Sequence, residues 1–248
     1  MDLAALPLFG RLPPESRRRL AFVAAALVTL VLMFISSIAK AHGVDENDAA
    51  FIEGTSGVNI IPYMYLGAKH MVTGYDHLLF LCGVIFFLYR MKDVGAYVTL
   101  FALGHSSTLL IGVIFDLRAN PYIVDAIIGL SVAYKAFDNL NGFQTLFGVS
   151  PNPKAAVLIF GFFHGFGLAT KLQELTMSGD GLIPNLIAFN VGVEMGQLMA
   201  LSLILLAMNL WRMTPSFQRS AITANAALMC AGFVLVGFQL TGYFTKGA

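Results

Sequence analysis

Charge is what this sequence has least of. Only 12% of its 248 residues are Asp, Glu, Lys or Arg, while 57% are hydrophobic and mean hydropathy is +0.75. A soluble domain carries about 25% charged residues, so a water-soluble globule is excluded. Apolar runs of about 20 residues recur, and they make the bilayer the solvent. The formal net charge of +1 leaves no basic footprint for nucleic acid. Cysteine is also scarce. Cys82 and Cys230 both lie in apolar runs and read as small core residues, not as a disulfide or a thiolate site. No Pro/Ser linker or low-complexity tract divides the chain, and no internal repeat of the inverted-repeat transporter kind is visible. No Walker-type nucleotide motif is present, so coupling to ATP would need a partner.

What is present begins with a polar, basic N-terminus ending in Arg17, Arg18 and Arg19, followed by the apolar run from Leu20 to Ile38 and by Ala39-Lys40-Ala41. That order is the layout of a secretory signal peptide over residues 1–41, or of an uncleaved signal anchor. Cleavage after Ala41 would leave His42 at a new N-terminus, where a free amine and an imidazole together chelate copper or nickel. An acidic stretch follows, with Asp45, Glu46, Asp48 and Glu53; it reads as a solvated periplasmic segment or as an electrostatic collector for cations.

The expected fold is all-α, a polytopic transmembrane helix bundle of about six spans after the signal segment. Residues 42–74 form the periplasmic acidic segment and an interfacial or re-entrant stretch (or an outward extension of the first helix), and 75–248 form the transmembrane domain. The apolar runs fall near 75–89, 94–116, 121–138, 154–172, 184–211 and 217–244. Basic residues orient the chain. Arg17 to Arg19 stay in the cytoplasm of a bacterial inner membrane, with Arg90, Lys92, Lys154, Arg212 and Arg219 on the same side, which places the mature N-terminus in the periplasm.

Ionisable groups inside a span cost about 2.5–3.5 kcal/mol each on insertion scales, so the positions where they occur are informative. His70, Asp76 and His77 stand at the outer mouth of the first run, His105 near the middle of the second, His164 near the middle of the fourth, and Glu194 within the fifth. Different helices thus carry imidazole or carboxylate to similar depth, which points to a shared cation site. Ser106, Ser107 and Thr108 follow His105, and Asn190, Glu194 and Gln197 fall at i, i+4 and i+7 on one helix face. Gly161 with Gly165, and Gly192 with Gly196, are small-residue pairs that let helices approach closely. Imidazole with carboxylate suits a divalent transition metal, nickel first, with cobalt, zinc or copper as alternatives. Asp76 also suits a helix N-cap, Asp125 and Asp138 read as caps or interface anchors, and Glu194 also reads as a buried structural acid paired with Lys171 or a histidine. On the cytoplasmic side Lys135, Asp138 and Asn139 are the best exit candidates.

These motifs resemble the HupE/UreJ family of membrane proteins over most of the chain, from His42 to the last run. The family pattern His-Pro-x-x-Gly-x-Asp-His is matched by His70, Gly74, Asp76 and His77, with Met71 in place of the proline. His105-Ser106-x-Thr108-Leu109, His164-Gly165-Phe166-Gly167 and the stretch from Phe189 to Leu198, which carries Asn190, Gly192, Val193 and Glu194, continue the likeness. The resemblance implies six spans after a cleaved signal and a metal path opening on the periplasm, in a family whose members associated with hydrogenase and urease clusters are regarded as nickel permeases. The expected function is a permease for a transition-metal cation. His42 and the acidic segment would catch the ion; His70, Asp76 and His77 would receive it, and His105, His164 and Glu194 would pass it inward. Two other classes fit the same residues: an intramembrane metal-dependent enzyme of hydrolase or oxygenase type, and a delivery or assembly partner of a metalloenzyme. The oligomeric state is not legible.

Overall fold

The computed structural model describes residues 46–88, 91–175 and 178–246. The segment expected to be a signal, residues 1–41, and His42 lie outside them. Every regular element among the described residues is a helix: α1 (Glu46–Gly54), α2 (Ile60–Thr73), α3 (Tyr75–Ile85), α4 (Met91–Ile114), α5 (Pro121–Asn139), α6 (Gly142–Phe147), α7 (Pro153–Leu172), α8 (Leu182–Arg212) and α9 (Pro215–Lys246). Boundaries follow local chemistry. Asn120 and Asn152 each accept hydrogen bonds from the first free backbone N–H groups of α5 and α7, with a proline in the first helical turn. Gly181, with φ +75°, opens α8, and a Cβ there would strike the backbone of Gly57.

Four helices, α4, α7, α8 and α9, are long and apolar enough to cross a membrane. The 19 residues of α5 reach about 28 Å at ~1.5 Å per residue, close to a hydrocarbon thickness of about 30 Å. They include Asp125, Lys135 and Asp138, and the charge lowers their apolar character. The 11 residues of α3 are too short to span alone. They continue from α2 through a break at Gly74, whose N–H still bonds the His70 carbonyl at 2.9 Å. From Ile60 to Ile85 the two helices together would extend about 39 Å end to end.

Close helix pairs organise the bundle, and glycine sets each of them. The α2–α3 arm runs parallel to α8. Asn185 exchanges hydrogen bonds with Asn59 and Gly57 at one end. Gly192 abuts Met64 and Gly196 abuts Ala68 in the middle, and Arg212 donates to the Ile85 and Phe86 carbonyls at the other end. Helix α4 runs parallel to α7, with Gly161 against Phe101 and Gly165 against the His105 carbonyl. Gln173 closes this pair by donating to Gly112 O at 2.6 Å. Helices α5 and α9 are antiparallel, with Gly129 against Leu235, Gly232 against Ala133 and Gly242 against Tyr122. Without side-chain bulk at these points the backbones meet directly, except at Gly242, where the Tyr122 ring fills the space; this is the means by which helices associate where lipid removes the hydrophobic drive. The three senses agree with alternate crossings by the α2–α3 arm, α4, α5, α7, α8 and α9.

Candidate metal centre

The break at Gly74 decides where the first histidines go. The expected run began at residue 75, which put His77 at the outer rim. Because the arm begins at Ile60, His77 instead lies within the bundle, 3% exposed. The imidazoles of His70 and His77, on opposite sides of the break, come to 5.1 Å between ring centres. The His77 ring is 6.1 Å from that of His105 on α4 and 4.9 Å from that of His164 on α7. One potential ligand nitrogen from each of His70, His77 and His105 can be chosen so that all lie within 4.8 Å of one another. Three helices therefore bring imidazole nitrogens to one point, and His164 on a fourth lies beside His77.

Hydrogen bonds fix which nitrogens face that point. The Nδ1 of His164 lies 2.7 Å from the Phe160 carbonyl. A carbonyl only accepts, so Nδ1 carries the proton and Nε2 keeps its lone pair. His77 Nδ1 lies 3.0 Å from Asp76 Oδ1, the carboxylate–imidazole arrangement that orients a metal-ligating histidine. Asp76 is thus turned to His77, while the helix N-cap position belongs to Gly74 and receives no side-chain cap bond. The Nε2 atoms of His70, His77 and His164 and both ring nitrogens of His105 are buried without a hydrogen-bond partner. A buried polar atom left unpaired costs about 1–3 kcal/mol, and several at one point form an open donor set. Neutral imidazoles with a nearby carboxylate are the ligands that borderline divalent cations take.

Aromatic rings close the side of the centre toward the Arg212 end. Phe101 stacks on His105 at 6.1 Å and meets His164 at 5.0 Å, while Phe80 meets His164 at 5.4 Å and Phe101 at 5.5 Å. Phe160 joins Phe80 at 5.9 Å. Beyond this floor lies a void of only ≈10 Å³, lined by groups such as Leu81, Val84, Ile85, Val94 and Leu201. A void of that size and lining stays dry.

The other expected site residues divide. Asn190 and Gln197 are buried on α8, and both amide atoms of Gln197 and Oδ1 of Asn190 lack partners. The Ser106 hydroxyl is also unpartnered, whereas Thr108 donates across the helix pair to the Phe162 carbonyl at 2.7 Å. Glu194 does not join the centre. It is exposed on α8, beside the exposed Val191, Met195 and Leu198. Lys171, its expected alternative partner, pairs instead with Asp125 at 2.9 Å. Asp125 is therefore no cap; Asn120 fills that role for α5. Asp138 pairs with Lys135 at 2.6 Å, and Asn139 bonds Gly83 O and Asn225. Cys82 and Cys230 are both free, and Cys230 is exposed. Sequence reasoning missed the phenylalanine floor and the Asp125–Lys171 pair. The second had a signal: two opposite charges at the outer ends of neighbouring spans.

No curated protein and no solved structure matches the chain. A family model described as HupE / UreJ protein matches residues 46–247, a range that contains the whole histidine centre. That family consists of membrane proteins related to transition-metal transport. With its apolar helices and a match over the bulk of its length, the chain belongs to the HupE / UreJ family.

Proposed function

We propose that the protein is a six-span permease of the bacterial inner membrane for a divalent transition-metal cation, nickel first, taken up from the periplasm. The observation that carries this reading is the convergence of His70, His77 and His105, with His164 beside His77, all with buried, unpartnered Nε2 atoms. His70, only partly buried, stands at the outer approach. His77, held by Asp76, together with His105 and His164, forms the inner set. An ion would shed water for imidazoles one at a time, and Asn190, Ser106 and Gln197 offer further lone pairs for waters it retains. Release inward would require Phe80 and Phe101 to move aside. The break at Gly74 gives α3, which carries both His77 and Phe80, a place to hinge.

The reading is tested by uptake of radioactive nickel into proteoliposomes holding the pure protein. Time-dependent accumulation by the wild type and none by His77→Ala is the expected result. Stoichiometric metal that never crosses would overturn it. The dry floor favours a second reading, in which the centre holds its metal permanently, as an intramembrane enzyme or an assembly partner would. That reading expects bound metal that survives extensive dialysis and does not exchange with added isotope.

A further inference from the structure

The helix that carries His77 is held differently from its neighbours. The glycine contacts that bring backbones together pair α2 with α8, α4 with α7 and α5 with α9. At Gly83 of α3, by contrast, the atoms nearest a Cβ would be side chains of Lys135 and Leu228. Side-chain donors tie the far end of this helix. Asn139 on α5 donates to Gly83 O at 2.8 Å, and one guanidinium nitrogen of Arg212 on α8 donates to the carbonyls of Ile85 and Phe86. Both donors are themselves held. Asn139 also donates to Asn225 on α9 at 2.9 Å, and Arg212 donates to Asn209 at 3.0 Å. A guanidinium at the negative end of a helix dipole adds an electrostatic hold. The near end of α3 meets α2 at Gly74, whose backbone is extended rather than helical, with φ −72° and ψ 101°.

Between these ends α3 contributes to each layer that separates the histidines from the Arg212 side. His77 belongs to the centre and Phe80 to the floor, and Leu81, Val84 and Ile85 line the void beyond it. Rotation of one ring does not open that floor. Phe80 is packed on Phe101, Phe160 and His164, and the void offers only ≈10 Å³. A tilt of α3 about Gly74 does open it. His77 is close to this pivot and Ile85 is at the far end, so one tilt displaces Ile85 about three to four times as far as His77. The inner half parts while the central imidazole stays beside its neighbours.

We propose that α3 is the inner gate of the permease and that Arg212, assisted by Asn139, is the positioning residue that holds it shut. Opening breaks the Arg212 bonds to Ile85 and Phe86 and the Asn139 bond to Gly83. This rests on the permease reading above and adds to it the element that moves and the side chains that restrain it.

The test is the rate at which a water-soluble maleimide labels Val84→Cys in the purified full-length protein, with Cys82→Ala and Cys230→Ala removing the native thiols. Leu109→Cys, at a fully buried position on α4, is the control. Hydrogen bonds from a charged donor are strong enough that losing two shifts an opening equilibrium by about tenfold or more. Arg212→Gln should therefore speed labelling of Val84→Cys about tenfold or more and leave Leu109→Cys protected. Ni²⁺ affinity should change by no more than about threefold, because no ligand is lost. Arg212→Lys, which keeps the charge and a donor, should recover much of the protection. Asn139→Ala removes a neutral donor and should speed labelling by about threefold; it carries the test if Arg212→Gln fails to fold. A cap that only stabilises the fold would expose Leu109→Cys together with Val84→Cys and lower the thermal midpoint. That pattern, or labelling of Val84→Cys unchanged in both variants, overturns the proposal and leaves the histidine centre standing. A parent protein that binds Ni²⁺ but never carries it into proteoliposomes removes the permease reading, and the gate with it.

Discussion

The two halves of the bundle treat polarity in opposite ways. Toward the Asn185 end, imidazoles, carboxylates and an ammonium are packed among apolar helices, and several ring nitrogens are left without partners. Toward the Arg212 end, the polar groups are spent on structure. Asn139 and Arg212 satisfy carbonyls at the end of α3, Lys135 pairs with Asp138, and the core between is phenylalanine and aliphatic side chains around a dry void. Among the described residues the unpartnered ring nitrogens gather at the histidine centre, and the other buried side-chain atoms without partners are few, Gln173 Oε1 among them. Unsatisfied groups persist in a native structure where a ligand or a transition uses them. The contrast separates a binding half from a sealing half.

Removing the central imidazole breaks that contrast most severely. His77 touches the rings of His70, His105 and His164, so His77→Ala should lower Ni²⁺ affinity by at least about 100-fold, read by equilibrium dialysis. An affinity within threefold of wild type, on the scale of ordinary variation in such measurements (about 0.6 kcal/mol), would deny His77 a place in the centre. Next in size is the packing that builds the centre. A Cβ on Gly165 would strike the His105 carbonyl and the Thr108 hydroxyl. Gly165→Leu should force α4 from α7 and lower the thermal midpoint of the purified protein by roughly 5–10 °C, consistent with an overpacking cost of about 1–3 kcal/mol. An unchanged midpoint would mean that the helices are not in direct contact there. Phe80→Ala sharpens the other side. It removes a ring packed on His164, Phe101 and Phe160 and should let water reach the inner void. Metal affinity should change by only about twofold to fivefold, because no ligand is lost, while a cysteine placed at Val84 becomes reactive to a water-soluble maleimide. Continued protection of that cysteine would show that the floor does not seal the inner half.

Much of this contrast was legible in the sequence. Histidines in apolar runs stand out because their cost in a bilayer is large, and the glycine pairs at 161/165 and 192/196 marked the faces that now meet Phe101, His105, Met64 and Ala68. The break at Gly74 was harder to see. Hydropathy alone starts the first span at residue 75, since Lys69, His70 and Thr73 dilute the run before it. Only the parallel packing of α2 against α8 shows that 60–85 act as one arm. The phenylalanine floor was hidden for a different reason. Twenty-one phenylalanines offer no pattern in one dimension, and their stacking on imidazoles depends on how α3, α4 and α7 are brought together.

Glu194 is where periodicity misled, and it yields the smallest expected effect. Asn190 and Gln197 are seven apart and nearly superimposed in projection, and both are buried. Glu194 projects about 40° from Asn190, a direction that Leu201 and Leu205 bury further along α8, yet at its own level it is exposed. The angular difference is small, but at that level it separates a group aimed among helices from one aimed outward beside the exposed Val191, Met195 and Leu198. A carboxylate in that position cannot ligate an ion held by His77 and His164. Glu194→Gln, which keeps size and removes charge, should therefore leave Ni²⁺ affinity within about twofold of wild type, since surface changes away from a site seldom exceed ~0.5 kcal/mol. A tenfold loss in the same titration would return Glu194 to the centre and show that α8 turns on its axis when metal binds, rotating the edge of its exposed face inward.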